Sequence, residues 1–247
     1  MNSIDLNCDM GEGLDNDALL MPFISSANIA CGYHAGDENI MQRTIDLCLQ
    51  HNVAIGAHPG FADKANFGRT EIQLSFDEAY QLVADQIKML QKIANNKGTK
   101  LHHIKPHGAL YNMAARDKGL APFVALAILD TNSKYLLYGL SSSYLVKEGK
   151  NLGLKTVNEV FADRTYKDDG SLTSRSKPGA LIENTDAAIA QVLQMVKEGT
   201  VTSITGKKVP IVAETICIHG DGEHAVEFAK AIHAALKENN IAIKART

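Results

Sequence analysis

The sequence predicts an α/β fold: a (β/α) barrel of seven strands, closed as one domain over residues 1–247. Three observations lead there. Short apolar runs alternate with longer amphipathic stretches, the pattern of parallel strands joined by right-handed helical crossovers. Four of those runs close on a histidine: Ile29–His34 (IACGYH), Val53–His58 (VAIGAH), Leu101–His107 (LHHIKPH) and Ile216–His219 (ICIH). The C-terminal ends of parallel strands are where such folds gather ionisable side chains into one pocket. Finally, no Pro/Ser-rich tract, charge block or low-complexity segment interrupts the chain. The units number one fewer than a complete eight-fold barrel; a doubly wound sheet is the alternative architecture.

The elements follow in order. Ser3–Leu6 and Ala27–Ala30 read as strands. Glu38–His51 reads as a helix, with apolar residues near helical spacing and Asp37 placed to cap it. Val53–Ala57 is the next strand. Ser75–Asn96 carries a capping-box signature, Ser75 with Glu78 three residues on, and Gly98 lies just past its end. Leu101–Lys105 is a strand, and Ala114–Asp130 a helix. Tyr135–Leu140 is a strand, with a helix over 143–151 behind it. Lys155–Phe161 is a strand, Asn184–Glu198 a helix capped by Asn184 or Thr185. Val209–Ile218 holds the last inner strand and Gly222–Asn239 the last helix. Two long polar stretches, Pro59–Leu74 and Asp163–Pro178, each follow a strand and so belong on the functional rim.

Composition narrows the function. With 45% hydrophobic and 21% charged residues the chain has ample material for a core. A net charge of -3, no Trp and few aromatics argue against nucleic acid as a partner. No apolar segment approaches the roughly 20 residues of a membrane span. The first residues lack the basic and apolar regions of a signal peptide, so the expectation is a cytoplasmic protein. Cys8, Cys31, Cys48 and Cys217 form no C-x-x-C pair and are expected as reduced thiols.

The strand ends carry the chemistry. They read Asn7-Cys8-Asp9, then Tyr33-His34-Ala35-Gly36-Asp37, then His58-Pro59-Gly60. Lys105-Pro106-His107-Gly108, Asp163-Arg164 and His219-Gly220-Asp221 follow. Only the fifth strand ends without a charge, at Ser141–Ser143. Core-facing barrel positions are expected to be apolar, and an unpaired ion there costs several kcal/mol. Each residue also has a bland reading: Asp9 a turn cap, a lone histidine a hydrogen-bonded structural residue. Four histidines in one topological position favour a site. His102 and His103, inside the fourth strand, are weaker candidates. His51 and His233 read as solvated surface residues. Arg69, Arg164 and Arg175 lie in rim loops, where anion binding and plain solvation are equally good readings. Lys105 sits inside an apolar strand end, where lysine is uncommon. Histidine with aspartate could bind Zn²⁺ or Mn²⁺, though every ligand would be long-range. No phosphate-binding P-loop, dinucleotide-binding glycine motif or nucleophile elbow is present.

Longer motifs share a pattern with a known family. DLNCDMGE (Asp5–Glu12), SANIACGYHAGD (Ser26–Asp37), AHPGF (Ala57–Phe61) with FGR (Phe67–Arg69), and KPHGALYN (Lys105–Asn112) run in order. EVFADRTY (Glu159–Tyr166), DGSLTSRSKPGALI (Asp169–Ile182) and CIHGD (Cys217–Asp221) complete them. Through these the chain resembles the LamB/YcsF family. One departure follows CIHGD, where Gly222-Glu223 replaces the expected Thr and Pro or Asn. The resemblance implies a glycoside hydrolase/deacetylase-like barrel. It also implies ATP-dependent opening of 5-oxo-L-proline to L-glutamate, as the A component of a 5-oxoprolinase that works with subunits B and C.

That chemistry needs an acceptor for water, cations for phosphate and a clamp for the substrate carboxylate. Asp9 is expected as base and His58 or His107 as proton shuttle. Lys105 and Arg164 would stabilise negative charge, and Arg69 or Arg175 would grip the carboxylate. Asn7, His34, Asp163, His219 and Asp221 would complete the substrate- and phosphate-binding rim. Cofactors expected are ATP and a divalent metal, either Mg²⁺ with the nucleotide or an ion bound among Asp9, His34, His58 and His107. Two alternatives remain: a metal-dependent deacetylase or amidohydrolase acting alone, and a non-catalytic substrate-binding component.

Overall fold

The computed structural model describes residues 3–220 and 225–247. In chain order it contains β1 (Ser3–Met10), α1 (Asp17–Leu20), β2 (Ser26–Ala30), α2 (Glu38–His51), β3 (Ala54–His58), α3 (Phe76–Asn96) and β4 (His103–Ile104). There follow α4 (Gly108–Arg116), α5 (Ala121–Thr131), β5 (Leu136–Leu140), α6 (Tyr144–Asn151), β6 (Thr156–Phe161) and α7 (Thr185–Glu198). The chain closes with β7 (Thr200–Thr202), β8 (Lys208–Pro210), β9 (Thr215–Ile218), α8 (Ala225–Glu238) and β10 (Ala242–Ile243). Strands β1 to β6 pair in parallel in sequence order, β6 pairs with β9, and β9 pairs back onto β1. The result is a closed seven-stranded (β/α) barrel, as the alternation predicts. Strand β10 adds to the start of β1, at Ser3 and Ile4. Among the described residues no helix is long and apolar enough to cross a membrane.

Local chemistry explains the elements. In β1 the alternation has period two: Ile4, Leu6, Cys8 and Met10 face the helices and are fully buried, while Asp5, Asn7 and Asp9 alternate with them. The Ser75–Glu78 capping box forms as predicted, the Ser75 Oγ accepting from the Glu78 N–H and the Glu78 carboxylate from the Ser75 N–H. Such a cap is worth about 1 kcal/mol. Asp37 caps α2 by accepting from the Ile40 N–H.

The structure departs from the sequence expectations in four places. The single helix expected over Ala114–Asp130 is two helices, α4 and α5. Asp117 breaks the run: its Oδ1 accepts from the N–H groups of Gly119 and Leu120, and Pro122 opens the next helix. The expected strand Val209–Ile218 is likewise two. β8 pairs antiparallel with β7 outside the barrel, and only Thr215–Ile218 enters it. His233 is half-buried rather than a free surface residue; its Nδ1 lies 2.9 Å from the Phe23 carbonyl and its ring packs edge-on against Phe23. The start expected for the last helix, at Gly222, lies outside the described residues.

The fourth departure is the barrel interior, which is polar rather than apolar. Asp5 accepts from Ser25, Ser26 and Thr215 hydroxyls at 2.6–2.8 Å. Asn7 donates to Glu159 and Thr215, and Asn28 donates to Asn7 and Asp9. His103 Nε2 sits 2.8 Å from Asn28 Oδ1, and His102 reaches the Arg246 carbonyl at 2.7 Å. These bonds offset the desolvation cost that led to the apolar expectation. Gly56 makes room for the network, because a Cβ there would overlap the His103 ring. Gly56→Ala is expected to lower stability by about 1–3 kcal/mol, the usual cost of overpacking a core. A urea melt with an unchanged midpoint would contradict this packing argument.

Candidate active site

The site is built at the C-terminal mouth of the barrel, where the strand ends and the two long loops enclose a pocket of about 770 Å³. The loop after β3 contributes Arg69 and Glu71, and the loop after β6 contributes Lys167 to Ser176. The amino ends of α4 and α6, at Gly108 and Tyr144, also line it. Among the described residues seven cationic side chains line the pocket against four carboxylates: Arg69, Lys105, Arg116, Lys147, Arg164, Lys167 and Arg175 against Asp9, Glu12, Glu71 and Asp169. That balance suits an anionic ligand.

Lys105 and Asp9 form the floor. The Lys105 ammonium lies 2.8 Å from Asp9 Oδ1 and 3.0 Å from Glu159 Oε1. It also lies 3.0 Å from Cys217 Sγ and 3.3 Å from Asn7 Oδ1. Burial alone would lower the lysine pKa, but the Asp9 and Glu159 carboxylates outweigh it and hold it well above its usual value. Burial would likewise raise the Asp9 pKa; His58 and Lys105 outweigh that and keep the carboxyl well below its usual range. Asp9 Oδ1 also accepts from Asn28, while Oδ2 lies 3.2 Å from His58 Nε2. Burial, ahead of the neighbouring carboxylates, pushes the Cys217 thiol well up, so it stays a thiol. Lys105, expected from the sequence to stabilise negative charge, is engaged with two carboxylates at the pocket floor. It holds Asp9 and Glu159 in place.

One wall is histidine. The His58 ring lies edge-on to His34, and His34 stacks on His107 with centroids 3.8 Å apart and 3° between planes. His58 Nδ1 lies 2.7 Å from the Lys105 carbonyl, and His107 Nε2 lies 2.9 Å from the Phe67 carbonyl. A carbonyl only accepts, so both of those nitrogens carry the proton. The remaining nitrogens, His58 Nε2 and His107 Nδ1, face each other at 2.8 Å. Burial lowers the His34 pKa to about 3 and puts His107 well below its usual value. Glu12 joins this wall, its Oε1 3.7 Å from both His34 Nε2 and His107 Nδ1. Gly60 and Gly68 let the rings pack: a Cβ on Gly60 would lie 2.7 Å from His34 Nδ1, and one on Gly68 2.8 Å from His34 Cβ.

The opposite wall is a relay. Arg175 Nη2 donates to His219 Nε2 at 2.8 Å, and His219 Nδ1 donates to the Asp163 carboxylate at 2.7 Å. Burial would raise the Asp163 pKa, but His219 outweighs it and holds the group below its usual value. Arg164 is buried and donates to the Thr173 carbonyl at 2.6 Å, which ties down the loop that carries Arg175. Burial, helped by Arg175, lowers its pKa to about 10.

Of the residues the sequence singled out, Asp9, His58, Arg69, Lys105, His107, Arg164, Arg175 and His219 line the pocket. Three do not. Asn7 spends its amide on Glu159, Thr215, Asn28 and Lys105 beneath the floor. His34 lies behind His107, and Asp163 behind His219. None of these three is placed to touch a substrate. Asp221 lies outside the described residues. The four histidines do not form one group: three share a wall, while His219 is held on the far side. Sequence reasoning missed Glu12, Asn28, Glu159 and Tyr111. Glu12 lies three residues after Asp9, inside the Gly11–Gly13 turn. Tyr111 is buried in the pocket lining, its hydroxyl pushed well up by burial and by Glu159.

A sequence model described as the LamB/YcsF family matches residues 4–247. A protein of Tolumonas auensis, named as the A component of 5-oxoprolinase, is 51% identical over 250 residues, covering 99% of this chain and 100% of that protein. A protein of the same name from Shouchella clausii is 53% identical, with 99% of each chain covered. The crystal structure of a lactam utilization protein from Thermus thermophilus superposes with a TM-score of 0.93 at 38% identity, over 99% of this chain and 100% of that one.

Proposed function

We propose that this chain, which belongs to the LamB/YcsF family, is the component of a multi-subunit 5-oxoprolinase that opens the lactam of 5-oxo-L-proline to give L-glutamate. The observation that carries this reading is the full-length likeness, at about half identity, to proteins named as the A component of that enzyme. A component named in this way works with others; we identify them as subunits B and C, and the co-substrate as ATP. The four cysteines are all buried and unpaired, which suits a reducing compartment, and we place the enzyme in the cytoplasm.

The chemistry asked of the pocket is specific. Amide resonance shields a lactam carbonyl from water. Transfer of the terminal phosphoryl group of ATP to the lactam oxygen removes that protection, with ADP leaving. Water then adds to the ring carbon, the C–N bond breaks, and the nitrogen takes up a proton as the free amine. The acyl phosphate left behind is hydrolysed by a second water to the carboxylate and inorganic phosphate.

The residues divide this work. Asp9, kept ionised, accepts a hydrogen bond from the attacking water and orients it. Lys105 positions Asp9 from below. The rim cations Arg69, Lys147, Lys167 and Arg175 face the phosphate and the substrate carboxylate, and the amino ends of α4 and α6 add N–H groups that favour anions. Arg175 is the carboxylate clamp, its guanidinium fixed by the His219–Asp163 relay. Loss of a charged hydrogen bond costs about 1.5–3 kcal/mol. Arg175→Ala is therefore expected to raise KM for 5-oxo-L-proline by roughly 10–100-fold, with a smaller change in kcat. Glutamate release by the assembled enzyme measures both; an unchanged KM removes Arg175 from this role.

A further inference from the structure

We infer that Glu12, His34, His58 and His107 form a binding site for one divalent transition-metal ion of the zinc class. His58 donates from Nδ1 to the Lys105 carbonyl and His107 donates from Nε2 to the Phe67 carbonyl. That is how metal-bound histidines are oriented by their outer partners. That leaves His58 Nε2 and His107 Nδ1 2.8 Å apart, with Asp9 Oδ2 3.2 Å from the former. One shared proton would relieve that single contact. It would do nothing for His34, which is 1% exposed and whose two ring nitrogens have no hydrogen-bond partner among the described residues.

A cation among these groups would answer them together once the His34 ring turns off its stack on His107, since the lone pairs of rings 3.8 Å apart and 3° from parallel do not converge on one ion. One ligand atom from each of the four residues lies within 4.8 Å of all the others. Three of those separations are 2.8 Å, from His58 Nε2 to His107 Nδ1, and 3.7 Å, from Glu12 Oε1 to His34 Nε2 and to His107 Nδ1. Tetrahedral bonds of about 2.0–2.1 Å require ligand atoms about 3.3 Å apart, between those two values. Three imidazoles with one carboxylate favour zinc-class ions over magnesium or calcium. Asp9 Oδ2, 3.2 Å from His58 Nε2, borders the site. An ion bound there would act as a Lewis acid toward an oxygen in the pocket. On this assignment His58 and His107 are ligands, not the proton shuttles suggested by the sequence.

The site does not depend on the lactam reading, because metal binding is measured on the chain alone with no substrate. The untagged chain, stripped by chelator, is titrated with Zn²⁺ in a calorimeter and with Co²⁺ in the visible spectrum. The expected result is one equivalent of Zn²⁺ per chain and a Co²⁺ spectrum of four-coordinate character. His34→Ala should weaken binding by more than the roughly 10–100-fold that loss of an outer partner costs. Glu12→Gln, which keeps the side-chain volume, should weaken it in the same direction. His51→Ala, at the distant end of α2, should bind as the wild type does. The assignment is overturned if the wild type takes up neither ion stoichiometrically, if His34→Ala and Glu12→Gln bind as tightly as wild type, or if His51→Ala loses the ion.

Discussion

Replacing Lys105 by Met is expected to cost the folded chain about 3–5 kcal/mol, the usual result of removing one partner from a buried ionic group. The ammonium is 2% exposed and lies within 3.0 Å of carboxylate oxygens on both Asp9 and Glu159. Methionine fills much of the same volume, so the loss is electrostatic rather than a cavity. Without the cation, two carboxylates face each other across a dry barrel, and one must take up a proton or draw in water. Denaturant melts of wild type and Lys105→Met read the difference. The double variant Lys105→Met with Glu159→Gln removes one of the stranded charges and should regain part of the loss. A single variant as stable as wild type would mean the charges are compensated elsewhere.

Asp9→Asn is expected to leave the fold in place and remove turnover. Asparagine keeps an oxygen for the Asn28 N–H and for Lys105, so the network of β1, β2 and β4 survives. What it loses is the ionised oxygen that faces the pocket beside His58. Groups that handle the proton of an attacking water contribute about 10²–10⁴-fold. Turnover by the assembled enzyme should fall within that range while KM for 5-oxo-L-proline changes little. A melt near that of wild type separates this outcome from unfolding.

Much of this arrangement is legible in the linear sequence, because much of it is local. The capping box at Ser75, the Asp37 cap and the apolar runs are short-range signals, and each forms. The histidines at strand ends are legible for the same reason: topology alone carries a strand's last residue to the barrel mouth. Partners across the barrel are not legible. Glu159 meets Lys105 from a strand distant in sequence, and no spacing announces that pair. His219 is separated from the other three histidines because β9 lies between β6 and β1, while β3 and β4 are adjacent on the ring. The polar interior was partly visible in β1, where Asp5, Asn7 and Asp9 alternate with four apolar residues. Reading that run only as a buried strand hid it. Glu12 was hidden by its setting in a glycine turn; Gly11, at φ 69°, redirects the chain there.

Glutamate release from 5-oxo-L-proline, with the proposed co-substrate ATP and the proposed partner subunits B and C added to this chain, decides where the lactam is opened. The chain is supplied either as wild type or as Asp9→Asn. Full activity with wild type, none when the chain is omitted, and a loss of at least about 100-fold with Asp9→Asn is the expected pattern. Activity from subunits B and C alone, or undiminished activity with Asp9→Asn, would place the lactam-opening site elsewhere.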